Sequence, residues 1–137
     1  MKRSSTVRRS GCPISIALEL VGDPWSLLIV RDLMFKGVHT FDGFLTAGEG
    51  IATNVLSDRL ARLERGGIVD RRPDPEDGRR VRYRLTKKGI GLAPMLVEMV
   101  LWSAEHEATD APEGTVREMR QSRRRVLDRI RRAWRQA

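Results

Sequence analysis

Cysteine occurs once in the 137 residues, as Cys12, and histidine twice, as His39 and His106. One thiol excludes an internal disulfide framework and a cysteine-based metal site within one chain. The histidines fall in different predicted elements. No nucleophile–base pair, metal-ligand spacing or phosphate loop accompanies them, which argues against an enzyme. Glu105-His106-Glu107 does not make a metal cluster either, because adjacent residues on a helix point apart. Apolar runs are short, and none approaches the roughly 20 residues that span a bilayer. Residues 12–22 form a poor signal-peptide core, since Pro13 and Glu19 interrupt them. The expectation is one cytoplasmic domain with an ordinary apolar core, without metal or cofactor.

Acidic residues are scarce at both ends. The net charge of +8 is concentrated there: residues 1–9 carry +4 and residues 115–137 carry +7, the latter from 9 arginines against Glu118 and Asp128. The body, 10–114, is net −3, yet residues 59–88 within it reach +6. A basic patch on an acidic body points to directed contact with a polyanion.

Residues 1–11 have no periodicity and read as a basic arm, either a solvated terminus or a groove-binding segment. Pro13 opens a helix over 13–21, with Ile14, Ala17, Leu18 and Val21 as its core face and Ile16 and Leu20 as a second apolar face. Asp23-Pro24 caps a nearly all-apolar helix over 24–36, and a short helix follows over 41–47. The turn Ala47-Gly48-Glu49-Gly50 leads into a helix over 52–65, which puts Leu56, Leu60 and Leu63 on its core side. Gly66-Gly67 ends that helix. Two strands, 68–72 and 81–85, flank a turn with the tight Asp77-Gly78 signal, with Val81, Tyr83 and Leu85 inward and Arg80, Arg82 and Arg84 outward. Thr86 caps a helix predicted over 87–106. Its apolar residues cover more than one face, so part of it suits a partner copy. Residues 107–114, with Pro112, are a linker. A basic helix over 115–136 then packs on a dimer or folds against DNA, with a membrane surface as a third option.

A helix followed at once by a basic β-ribbon is the reading head of a winged helix-turn-helix. The fold expected is α+β, mostly α, with a β-hairpin wing plus dimerisation and C-terminal helices. On the recognition helix, Ala52, Thr53, Asn54 and Ser57 make a small polar surface suited to a major groove, with Asp58 and Arg59 beside it. On the wing, Arg79, Arg80 and Arg82 suit phosphates or a narrow minor groove. The helix surface alone reads equally well as a solvated face, and a bare arginine cluster is usually one. Together they favour double-stranded DNA, and the alternative is an interaction module that binds protein or RNA.

Taken as a set, Cys12-Pro13, GDPWSLLIVRDL at 22–33, Phe41 with its short helix, VLSDRLARLERGGIV at 55–69, VRYRLTKKG at 81–89 and Trp102 resemble the HxlR family of bacterial winged-helix regulators. The resemblance covers about 12–106. It implies a nucleoid-associated homodimer joined through the first and fifth predicted helices, with Ile16, Leu20, Leu92, Leu96, Met99 and Trp102 at the interface. It also implies two recognition helices in successive major grooves, with half-sites roughly 34 Å apart; the expected function is a repressor or activator, the repressor favoured, on a palindromic operator. In several members, a cysteine at the position of Cys12 senses oxidants or electrophiles. A helix N-terminus lowers a thiol pKa and Arg8 and Arg9 are near in sequence, whereas a buried cysteine would be a small apolar residue and no more.

Overall fold

Residues 7–137 are described by the computed structural model; expectations for the arm at positions 1–6 lie outside them. The apolar periodicities become helices α1 (Pro13–Val21), α2 (Ser26–Phe35), α3 (Phe41–Leu45) and α4 (Thr53–Arg65). Strands β1 (Val69–Pro73) and β2 (Val81–Leu85) follow, then α5 (Lys87–Ile90), α6 (Ala93–His106), α7 (Glu113–Gln121) and α8 (Arg123–Gln136). The strands pair antiparallel in one register, from Val69 opposite Leu85 to Pro73 opposite Val81. This is the winged-helix arrangement of α+β type, mostly helical. The segment at His39 adds a single backbone bond to the hairpin, Tyr83 N–H to His39 carbonyl at 2.8 Å. No single helix among the described residues is long and apolar enough to cross a membrane.

The main core gathers one face of each early element: Val21, Ile29 and Val30, Phe44, Leu56, Leu60 and Leu63, then Val69 and Leu85. Leu56 and Leu63 are wholly buried, so α4 is fixed by its leucine side and must turn its other side outward. The turn before α4 reverses through Gly48 at φ 107° and Gly50 at φ 72°, conformations that glycine adopts without steric cost. At the far end, the Thr86 hydroxyl donates to the Gly67 carbonyl at 2.6 Å and accepts from Gly89 N–H at 3.0 Å. One side chain thus joins the end of α4 to the start of α5. Gly89 is needed there: a Cβ would lie 2.2 Å from the Ile68 carbonyl oxygen.

Two long helices expected from the sequence are each broken. The helix over 87–106 stops at Ile90 and restarts at Ala93, because Pro94 has no N–H and its ring excludes the carbonyl four residues earlier. The helix over 115–136 breaks at Ser122, where φ is −135° and ψ 49°. Glu118 and Arg129 form a two-point ion pair at 2.7 and 3.0 Å. Eleven residues along a straight helix would separate them by about 16 Å, so α7 and α8 fold back on each other. Val97, Leu101, Met119 and Val126 make a second core between α6, α7 and α8, and Ile130 joins it to the first.

The apolar faces of α1 and α6 also depart from expectation. Ile14 and Leu18, expected in the core, are 72% and 59% exposed, and Val21 alone on that face is buried. Conversely Leu20, Leu92 and Leu96, expected at a dimer interface, pack into the main core, with Leu96 buried. The folded-back α7 and α8 give α6 an additional intrachain neighbour, which takes surface the sequence leaves open. Ile16 is half-buried, while Met99 and Trp102 remain exposed.

α2 and α4 are bound together by one carboxylate. Asp23 accepts from Trp25 N–H at 2.8 Å and Ser26 N–H at 3.0 Å; α2 itself begins at Ser26 with Trp25 at its N-cap, two residues later than expected, so Asp23 closes the turn that leads into it. It also accepts from Arg59 Nε of α4 at 3.0 Å. Burial pushes its carboxyl up, but the Ser26 hydroxyl, the Trp25 N–H, Arg59 and the Ser26 N–H outweigh this and hold it at about 2, against an ordinary 3.8. A folded pKa below the unfolded one stabilises above about pH 4 and loses that contribution as pH falls through 2. The side chain is 15% exposed, and the shift corresponds to about 2 kcal/mol. Asp23→Asn is expected to lose about that much near neutral pH and to flatten the acid limb of stability between pH 4 and 2. Urea denaturation across that range measures both; an acid limb as steep as wild type would refute the assignment.

Candidate nucleic-acid interface

With Leu56, Leu60 and Leu63 turned in, Ala52, Thr53, Asn54, Ser57 and Asp58 are all exposed, as their helical positions predict. Ala52 is the N-cap residue and has no side-chain oxygen, and the first turn carries no acid. The first N–H groups of α4 are therefore left to an outside acceptor, which with the helix dipole suits a phosphate. Arg59 departs from this picture. Three positions after Leu56, it lies on the flank of the buried face, half-buried. Its Nε is on Asp23 at 3.0 Å and its Nη1 on Asp58 at 2.5 Å. Arg59 therefore holds the helix in place rather than extending to a groove.

The wing divides its arginines similarly. Arg71, Arg72, Arg79 and Arg80 are exposed. Arg71 pairs with Glu64 at 3.5 Å, Arg72 with Asp70 at 3.6 Å and Arg79 with Asp77 at 3.3 Å. Exposed pairs of this kind contribute little, so a phosphate can replace the acid at small cost. Arg80 has no acid within ion-pair distance among the described residues. Arg82 is half-buried near His39; burial and then the Arg82 charge push the His39 imidazole below its usual pKa. Arg84, expected to face outward, is instead covered by α8. Its guanidinium lies 4.8 Å from the Trp134 ring centre and donates to the Trp134 carbonyl at 2.8 Å. Val81, expected inward, is 39% exposed at the tip end of the strand, beyond the reach of the core.

Cys12 is exposed, immediately before α1. Its carbonyl accepts the Ile16 N–H at 2.9 Å. Arg8 turns to Glu19 at 3.7 Å and the Arg9 N–H donates to the same carboxylate at 2.9 Å. The charge of Arg8 is thus engaged on α1 rather than held for a thiolate. Among the described residues no group of three His, Cys, Asp or Glu is placed to hold a metal ion.

Two structural roles escape sequence reading. Asp23 and Arg59 are 36 positions apart and belong to separate periodic patterns, so nothing local signals their pairing. Trp134 ends an apolar stripe, which marks it as buried but does not name Arg84 and Leu85 as its partners.

The HxlR-like helix-turn-helix family matches residues 20–111. A Mycobacterium tuberculosis HTH-type transcriptional regulator, Rv3095, is 41% identical over 107 residues, which is 78% of this chain. The match spans 65% of that relative, so the chain covers a little under two thirds of its length. Among solved structures, PA1607, a candidate transcription factor, aligns with TM-score 0.69 at 36% identity, over 77% of this chain and 72% of that one. The redox regulator HypR in its oxidised form aligns with TM-score 0.61 at 27% identity, over 72% of this chain and 100% of its own. The family consists of regulators and not of enzymes. With a two-stranded wing behind an uncapped, outward-facing α4, and with this family match over most of its length, the chain is a member of the HxlR-like helix-turn-helix transcriptional regulators.

Proposed function

We propose that this regulator acts as a homodimer that reads a palindromic operator in double-stranded DNA and represses by occupying it. The observation that carries the reading is the exposed polar start of α4, Ala52, Thr53, Asn54 and Ser57, beside a wing that presents Arg79 and Arg80. In the major groove an asparagine pairs bidentately with adenine and small hydroxyls reach bases or phosphates. The wing arginines then grip the backbone without reading sequence. Asp58 lies on the same exposed surface, suited to accept from a cytosine amine. Arg82, half-buried at the wing base, sits behind the tip.

Dimerisation is supported by apolar surface that the single chain leaves uncovered. Ile14 and Leu18 on α1 are 72% and 59% exposed; Met99 and Trp102 on α6 are 46% and 62% exposed. Exposed apolar clusters on soluble domains mark interaction sites. With α1 in such an interface, Cys12 lies at its edge. We assign to Cys12 a sensing role, in which an oxidant or electrophile forms an adduct or an intersubunit disulfide and shifts the spacing of the two α4 helices. Its exposure supports this, as does the likeness to HypR.

Three experiments separate these elements. Asn54→Ala is expected to relax preference at one base pair per half-site, at about 1–3 kcal/mol, while Arg79→Ala with Arg80→Ala weakens all sequences and lowers the salt slope by about 2. Selection from random duplexes followed by titration decides this. No preference for any duplex over random DNA or RNA would favour the interaction-module reading instead. Trp102→Glu should convert the dimer to monomer in sedimentation equilibrium and lose operator affinity; an unchanged mass would refute the α6 interface. After diamide or quinone treatment, Cys12→Ser should keep full DNA binding where wild type loses it. A wild type equally indifferent to oxidant, with no covalent dimer or adduct, would end the sensing role.

A further inference from the structure

The chain beyond residue 111 lies outside the matched family region, yet α8 is firmly built into the fold. Val126 is buried against Val97, Leu101 and Met119, while Ile130 and Trp134 pack on the main core. Trp134 Nε1 donates to the Leu85 carbonyl at 2.8 Å, and Arg84 returns a bond to the Trp134 carbonyl. α8 is therefore fastened to the second strand of the wing.

Three of its arginines are spent inside the chain. Arg123 pairs with Glu98 at 2.7 Å, Arg129 with Glu118 at 2.7 Å, and Arg131 with Asp128 at 3.9 Å. Four others, Arg124, Arg125, Arg132 and Arg135, are exposed and have no acid within 4.0 Å among the described residues. At about 100° per residue these four fall within one arc of about 100°, opposite the Val126–Ile130–Trp134 stripe. Asp128 lies in the same arc with Arg131 beside it. In the reading head, by comparison, Arg59, Arg62, Arg71, Arg72 and Arg79 have carboxylate partners, while Arg65 and Arg80 have none within 4.0 Å among the described residues.

We propose that this arginine face of α8 is a second duplex-binding surface, which grips phosphates without regard to sequence while α4 and the wing read the operator. The proposal rests on the DNA-binding reading above. Three observations favour a duplex over other polyanions. Every basic residue in 115–137 is arginine and none is lysine, and the guanidinium fork matches phosphate oxygens at two points. The four side chains stand on a helix anchored at its apolar face, so the surface is pre-formed. Arg124 to Arg135 spans about 16 Å, alongside which a duplex presents on the order of ten phosphates, one per ~1.7 Å. A membrane surface fits less well: a helix lying in a bilayer inserts its apolar face, and here Val126, Ile130 and Trp134 are already used against the protein.

The test compares the full-length wild type, a fourfold Arg→Gln variant at 124, 125, 132 and 135, and the fourfold Arg→Lys variant, on a long random-sequence duplex across salt. Each phosphate contact contributes about 0.9 to the slope of log affinity against log salt, so the Gln variant should be shallower by about 3.6. Between about 50 and 200 mM salt its affinity should then fall about 100-fold less than that of wild type. The Lys variant should keep the slope. Arg125→Gln and Arg132→Gln singly, each on an otherwise unaltered surface, should lower it by about 1 each. An unchanged slope in the Gln variants while Arg79→Ala with Arg80→Ala shallows it would overturn the α8 surface and leave the reading head intact. A wild type that fails to bind duplex at all would overturn both. Loss of binding to phosphatidylserine vesicles or polyglutamate, with duplex binding unaltered, would overturn it in favour of a membrane or an acidic protein.

Discussion

The orientation of α4 depends on the carboxylate of Asp23. A helix start usually satisfies its own N–H groups with a side-chain oxygen and stops there. Asp23 does so for α2 and in addition takes Arg59 from α4. Both side chains are partly exposed and each has a further partner, Ser26 for Asp23 and Asp58 for Arg59, so the contact between them acts by fixing geometry rather than by hiding a lone charge. The buried leucines of α4 set how deep it sits, close-packed against the core. The ion pair sets its rotation and its distance from α2, since hydrogen-bond geometry does not tolerate sliding. The outward direction of Thr53, Asn54 and Ser57 follows from the two constraints together.

Local patterns were legible in the sequence wherever one element answers to its own period or its own cap. Leu56, Leu60 and Leu63 repeat at helical spacing and are buried; Thr86 precedes a helix and caps it; Asp77-Gly78 marks the wing turn. What escaped was decided by partners distant in sequence. Ile14 and Leu18 form as good an apolar stripe as any buried one, and periodicity does not say whether the covering surface belongs to the same chain. Arg84 alternates correctly for an outward residue, but α8 returns 50 positions later to cover it. The breaks at Gly91 and Ser122 differ in kind. Pro94 accounts for the first through its missing N–H, though the apolar run around it reads as one helix, whereas Ser122 carries no such mark, and the fold-back there is fixed by Glu118 with Arg129 and by the second core.

Charge on this protein is placed with two degrees of commitment. In the reading head Arg59, Arg62, Arg71, Arg72 and Arg79 have carboxylate partners, although residues 59–88 keep a net charge of +6. Swapping an exposed carboxylate for a phosphate changes energy little, and such contacts therefore discriminate by geometry more than by attraction. The arginines of α8 without an acid partner act differently: they suit the phosphates of a duplex of any sequence and distinguish none. A regulator gains from keeping these apart. Strong unpaired charge on the reading helix would raise affinity for every sequence alike and dilute whatever α4 reads.

The attachment of α8 decides whether that separation is useful. Were the basic helix tethered by a flexible linker, its contacts would be satisfied at many positions and would tell the reading head nothing about register. Instead Trp134 bonds to Leu85 and Arg84, residues of the strand whose other end is the wing tip. A phosphate-binding face fixed to β2 moves with the wing. If α8 engages the backbone, the wing and α4 arrive at a defined distance and angle from the same duplex, and each further contact is made at lower entropic cost. The break at Ser122 that defeated the periodic reading is what makes this possible, because a straight helix over 115–136 would carry Trp134 away from the wing.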